Sequence, residues 1–124
     1  MHIAVLAETR EGESRVAATP DSVKALIKAG AEITVQKGAG ERAAYPDAAY
    51  EAAGAKLATR ANAVKGADAL FCVRRPDAET LKRLKDGAMV IGLLEPHGAV
   101  DFAQACADAK VNALAMEYTP RITR

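Results

Sequence analysis

No tryptophan occurs in the chain, and aromatic residues make up only 4% of it, yet half of its residues are apolar. A core built under those terms must come from Ala, Val, Leu and Ile, the palette of helices packed closely on a sheet. Cysteine is scarce too. Cys72 and Cys106 form no CxxC pair and have no histidine cluster beside them, which argues against a zinc site and leaves two reduced core thiols as the expectation. A surplus of one charge sign is also missing: 17 Lys and Arg face 16 Asp and Glu, so nucleic acid and anionic membranes are disfavoured partners. No apolar run approaches the roughly 20 residues of a membrane span, and Glu8 and Arg10 interrupt the start. The expectation is a cytosolic chain. Its 124 residues suit one domain, 1–124, with no internal repeat, linker or low-complexity tract.

What is present is alternation. Short apolar runs predict strands at Ile3 to Leu6, Glu32 to Gln36, Lys56 to Ala58, Ala69 to Val73, Met89 to Leu93 and Val111 to Ala115. Several are apolar on both faces, as in Ala69-Leu70-Phe71-Cys72-Val73, which places them inside a parallel sheet covered by helices. Between them lie helical segments with their own start and stop residues. Thr19 caps the first, Pro20 fits its first turn, Asp21 favours its positive end and Gly30 ends it, with Val23, Leu26 and Ile27 on one face. Further helices are expected at Asp47 to Ala53, Arg60 to Lys65, Ala78 to Leu84 and Val100 to Ala109. The fold class is therefore α/β: a mostly parallel sheet of about six strands between helices, a flavodoxin- or Rossmann-like three-layer arrangement.

In such a sheet the binding loops cluster beyond the carboxyl ends of the strands. Those loops are Ala7 to Ala18, Arg74 to Asp77, Glu95 to Gly98 and Met116 to Arg124. They carry Glu8, Arg10, Arg15, Arg74, Arg75, Glu95, His97, Glu117 and Arg121, a concentration of forked guanidinium donors suited to carboxylate, phosphate or carboxamide groups. Solvated loop charge is the plainer reading of any single one.

Gly38-Ala39-Gly40-Glu41-Arg42-Ala43 matches the G-x-G-x-x-A form of the dinucleotide fingerprint. Its setting is wrong for pyrophosphate. It follows the second strand and not the first, Pro46 stands where the phosphate-binding helix should already run, and Arg60, Ala61 and Asn62 stand where a ribose-binding acid is needed. A structural turn is the expectation, so the fold carries no dinucleotide fingerprint. His97 follows Pro96 at a strand end, where an imidazole can act as acid or base, but only Glu95 lies near enough in sequence to orient it. A solvent-exposed or capping role is expected. Ser14 and Ser22 have no neighbouring base, and Glu8 alone does not make the acidic cluster of a phosphoreceiver domain.

The opening HIAVLAETREGESRVAATPDSVKALIKAGAEITVQKGAGERAAYPDAAYEAAGA closely resembles the N-terminal domain shared by alanine dehydrogenases and the α subunit of proton-translocating NAD(P) transhydrogenase. The end, NALAMEYTPRITR, resembles the transhydrogenase stretch AM-(D/E)-x-x-PR-I-(S/T)-R. Alanine dehydrogenases hold their pyruvate-like substrate with an Arg matching Arg15, a Lys matching Arg74 and a His matching Glu95, so only Arg15 is kept here. That departure suits a transhydrogenase, whose two nicotinamides exchange hydride directly.

The resemblance implies that this is one half of the NAD(H)-binding component, lining a nicotinamide cleft completed by a following Rossmann half. Arg121 should reach the nicotinamide end of NAD(H), with Arg124 beside it and Arg15 as a further cofactor-binding residue. NADP(H) would lie on the β subunit, and proton movement would run through a membrane component, placing the chain on the cytoplasmic, peripheral face of an inner-membrane complex. A homodimer is implied for the complete protein. The chain alone is expected to be inactive, to bind no coenzyme and to contain no catalytic residue or metal ligand. The alternatives are the matching domain of an alanine or saccharopine-type dehydrogenase, or a stand-alone binding module without catalysis.

Overall fold

A computed structural model describes residues 1–95 and 100–118. Six strands form one sheet: β1 (His2–Val5), β2 (Glu32–Gln36), β3 (Lys56–Ala58), β4 (Ala69–Phe71), β5 (Met89–Gly92) and β6 (Asn112–Ala115). All neighbours are parallel, in the order β3-β2-β1-β4-β5-β6. That is the Rossmann order, with the direction of winding reversed between β1 and β4.

Five helices join the strands: α1 (Pro20–Lys28), α2 (Asp47–Ala52), α3 (Arg60–Val64), α4 (Ala78–Arg83) and α5 (Val100–Ala109). Each of the first four starts where sequence chemistry puts it. The Thr19 hydroxyl accepts from Ser22 N at 3.1 Å while Ser22 Oγ accepts from Thr19 N at 2.8 Å, so two otherwise orphaned donors are satisfied reciprocally. Thr59 and Asp77 accept from Asn62 N and Thr80 N in the same way, and Pro46 precedes α2.

Alternation along β1 divides the interior in two. Ala4 and Leu6 join Val64, Leu70, Leu81, Val90, Leu94 and Cys106 under α3, α4 and α5. Ile3 and Val5 join Val23, Ile33, Val35 and Tyr50 under α1 and α2. On this second side the outer strands are uncovered: Met89 and Leu114 are exposed among the described residues. No helix among the described residues is long and apolar enough to cross a membrane.

Three strands are shorter than their apolar runs predict: β6 begins at Asn112 and not at Val111, and β4 and β5 end early. β4 was expected to reach Val73 and β5 to reach Leu93. At each end one more amide still bonds the neighbouring strand, Cys72 N to Ile91 O and Leu93 N to Val73 O, and the two amides after it go to a loop carboxylate: Val73 and Arg74 donate to Glu8, and Leu94 and Glu95 donate to Glu117. Both cysteines are free and buried. Burial pushes the Cys72 thiol up to about 12 and raises that of Cys106.

Candidate functional site

The carboxyl ends of the strands form a rim whose backbone donors are already occupied by the protein's own side chains. At the end of β1, Ala7 N donates to Gln36 Oε1 at 2.9 Å. After β4, Val73 N and Arg74 N donate to the two Glu8 oxygens at 3.0 and 2.9 Å. After β5, Leu94 N and Glu95 N donate to the two Glu117 oxygens at 3.1 and 2.7 Å. In each case a side chain from an adjacent strand's end takes the amides that a phosphate would otherwise use.

Above these caps runs a chain of ion pairs. Arg10 and Arg74 each place a terminal nitrogen 2.7 Å from the same Glu95 oxygen, and Arg74 Nε donates to Glu13 at 2.8 Å. Glu13 also accepts from Arg15 Nε and from its second terminal nitrogen, both at 2.9 Å, and from Arg15 N at 2.9 Å. Glu13 is only 6% exposed, so its charge is held inside the loop between two guanidiniums. Hydrogen bonds from Arg15, then from Arg74, hold its carboxyl well below the usual carboxylate range. Arg10 does the same for Glu95, and Glu13 raises the pKa of both Arg15 and Arg74. The arginines Arg10, Arg15 and Arg74, read from the sequence as loop guanidiniums that are either solvated or suited to an anionic ligand, are paired within the protein.

Arg15 nonetheless stays about half exposed, at the mouth of an open cleft of about 390 Å³. Val16, Thr19, Tyr45, Val73, Leu93 and Met116 supply most of the rest of its lining, so the cleft is apolar with one cation at its edge. Arg75 is exposed on the same rim. His97, Arg121 and Arg124 lie outside the described residues. Among the described residues no His, Cys, Asp and Glu group would hold a metal ion.

The Gly38–Ala43 turn is structural in its geometry. Gly38 adopts φ +80° and its N–H goes to Asp47 Oδ1 at 2.9 Å, while Ala39 N and Ala43 N are bound to Gln36 O and Gly40 O. At Gly40 a β-carbon would lie 2.6 Å from the Tyr50 ring and 2.7 Å from Tyr45 O. Gly40 admits a buried tyrosine, and the amides of Gly38, Ala39, Glu41 and Ala43 are bonded within or beside the turn.

Residues 4–124 match the family described as Alanine dehydrogenase/PNT, N-terminal domain. The chain belongs to this family. Along its entire length it is 36% identical to the NAD(P) transhydrogenase subunit alpha of Haemophilus influenzae, covering 24% of that protein. Alanine dehydrogenase of Mycobacterium tuberculosis is 39% identical over 91% of the chain, which covers 30% of that enzyme. The solved transhydrogenase of Sinorhizobium meliloti superposes on the whole chain with a TM-score of 0.94 at 39% identity, the chain covering 37% of it. The chain therefore spans 24% to 37% of the length of these family members.

As a member of the alanine dehydrogenase/PNT N-terminal domain family, the chain brings together Arg15, Arg74 and Glu95, as their shared rim position implies. Sequence reasoning missed the residue that joins them. Glu13 stands two residues before Arg15 in a loop carrying Gly12, a local hint of a turn-bound carboxylate. Its second partner, Arg74, lies 61 residues away, and no local pattern encodes that contact. Glu8 and Glu117 were legible as rim residues, but their work as strand-end caps was not.

Proposed function

We propose that the chain is the N-terminal half of the NAD(H)-binding component of an NAD(P) transhydrogenase, lining one side of the cleft in which the nicotinamide lies. Hydride passes there between NAD(H) and NADP(H), coupled to proton translocation elsewhere in the complex. The remainder of the α subunit supplies the opposite wall and the pyrophosphate site, the β subunit brings NADP(H), and a second copy completes a homodimer at the cytoplasmic face of the inner membrane.

One observation supports this reading: beside the cleft Arg10, Arg15 and Arg74 are paired with Glu13 and Glu95, and the amides after β4 and β5 are capped by Glu8 and Glu117. Such a wall is suited to holding two rings in register, because hydride transfer between nicotinamides asks the protein for positioning and leaves the redox chemistry to the coenzymes. Arg15 faces the cleft mouth, Arg121 donates to the nicotinamide carboxamide, and Arg124 lies next along the chain from that contact. With the rim amides of Ala7, Val73, Arg74, Leu94 and Glu95 taken by side chains, the coenzyme phosphates fall to the remainder of the α subunit.

The test is Arg121→Ala in the full-length protein, read by NADH titration. Loss of a charged hydrogen bond should weaken binding by about 1–3 kcal/mol; unchanged affinity would remove Arg121 from the site. The likeness to the M. tuberculosis alanine dehydrogenase favours a second reading, oxidation of an amino acid. NADH-dependent reductive amination of pyruvate by the full-length protein, in place of hydride transfer to an NADP analogue, would establish it. Against it stand Arg74 and Glu95, which are bound to each other at 2.7 Å and are not free to take a 2-oxo acid and move its proton.

A further inference from the structure

One apolar row crosses the whole sheet. On the side of α1 and α2, the register aligns Leu57, Val35, Val5, Phe71, Ile91 and Leu114, one residue from each strand in spatial order. Every member is apolar, yet beyond β1 the burial fades. Val35 and Val5 are 0% exposed, Phe71 and Ile91 are half-buried, and Leu114 is 46% exposed, with Met89 of the adjacent row at 41%. Parallel strands are ordinarily covered on both faces, and a sheet face left to water is ordinarily polar.

The crossovers within this sheet do not supply that cover. α4 and α5 join β4, β5 and β6, and Leu81, Cys106 and Ala109 on these helices enter the core of the opposite face. Right-handed crossovers stepping outward from β4 to β6 lie on that face, just as those stepping the other way from β1 to β3 put α1 and α2 on this one. A helix over β4, β5 and β6 therefore comes from outside the six-strand unit. Residues 119–124 are too few, since a helix running the ~13 Å of such a strand needs about nine residues. The family has the length to provide one: it is described as an N-terminal domain, and the chain spans 24% and 37% of two relatives. The width suits a single helix, because three strands about 4.8 Å apart carry a face about 10 Å across, and a helix with its side chains measures about 10–12 Å.

We infer that the α1 and α2 side of β4, β5 and β6 is the docking site of one amphipathic helix supplied by the polypeptide beyond residue 124. The helix extends the α1–α2 layer and sets apolar side chains at helical spacing against Phe71, Ile91 and Leu114. Val73, Leu93 and Met116 line the cleft beside Arg15 at the carboxyl end of the same three strands, so the helix also walls that cleft. This holds whichever reaction the full-length protein performs.

The test uses the full-length protein and mild substitutions. Leu114→Cys and, as an exposed reference on α4, Lys82→Cys are labelled with a maleimide, each site being read by peptide mass. Cys72 and Cys106 are buried and stay silent. Leu114→Cys should label about ten-fold or more slowly than Lys82→Cys, because the reagent waits for the cover to open. A photo-cross-linker in place of Leu114, in a mixture of isotope-labelled and unlabelled protein, should mark positions three and four residues apart in one segment of its own chain beyond residue 124. Equal labelling of the two cysteines would overturn the inference. Cross-links to a second copy would overturn it too, making the face a dimer contact, as would marks at alternate positions, which denote a strand, or marks within residues 119–124. Neither readout involves a coenzyme, so an uncovered face leaves the transhydrogenase assignment standing, and a failed NADH titration leaves this inference standing.

Discussion

Tyr50 shows how much one side chain organises in a molecule with so few aromatics. Its ring is fully buried, meets Tyr45 edge-on with centroids 6.4 Å apart, and fills the space that Gly40 leaves open. Its hydroxyl donates to Ala18 O at 2.7 Å, tying the end of the Glu13 loop to α2, and burial pushes its pKa up to about 12. Tyr50→Phe keeps the ring and strands the Ala18 carbonyl without its donor. Urea unfolding should show a loss of about 1–2 kcal/mol, and an unchanged midpoint would mean that water replaces the hydroxyl. The rim residues follow the same logic. Arg15 was visible in the sequence as a loop arginine, but whether it is free depends on Glu13, and whether Glu13 is buried depends on the packing of the whole loop.

At the scale of elements, the helices were legible because their signals are local. Thr19 with Pro20 and Ser22, Thr59 with Asn62, and Asp77 with Thr80 all act within three residues, so the starts of α1, α3 and α4 fall where expected. Thr19→Ala removes the acceptor for Ser22 N and one arm of the reciprocal cap. The expected cost is about 1 kcal/mol, read as a lower thermal midpoint, and a Thr19→Ser control should retain most of it. Strand ends were less legible. The apolar run Ala69 to Val73 continues through Val73, but β4 ends at Phe71: Cys72 N still reaches Ile91 O, and the amides after it go to Glu8, 65 residues before Val73. An apolar run states where burial continues, and only the partner of each N–H states where the ladder continues.

For the whole molecule, the carboxylates give acid sensitivity a definite sign. Glu13, Glu95, Glu117, Asp68 and Asp77 all have pKa values lowered in the fold from ordinary values of 4.5 for Glu and 3.8 for Asp. A lowered folded value means that the unfolded chain takes up protons first as pH falls. Their contribution is therefore complete above about pH 5 and is lost progressively below it. The buried Cys72 thiol, raised from 9.0 to about 12, works the other way, its contribution complete below pH 9 and lost above it. Urea midpoints should form a plateau across neutral pH and fall on both sides; a midpoint that rises between pH 5 and pH 3 would contradict the carboxylate assignment. On the same scale, parallel strands are ordinarily covered on both faces, and the exposed Met89 and Leu114 mark the face of β5 and β6 that lacks cover among the described residues.

By itself the sequence determined the α/β class, the six strands, the helix starts and the structural nature of the Gly38–Ala43 turn. Each of these depends on residues within a turn or two of one another, where period, cap and backbone preference act directly. Only the tertiary structure decided the strand order, and with it which loops share a rim. Arg10 and Glu95 are 85 residues apart and Arg74 and Glu13 are 61 apart; they meet because β4 returns to lie beside β1, and β5 beside β4. Charges listed along a chain carry no partner, and their pairing follows from where the sheet brings the loops together, which turned a set of candidate ligand-binding arginines into a self-neutralised wall.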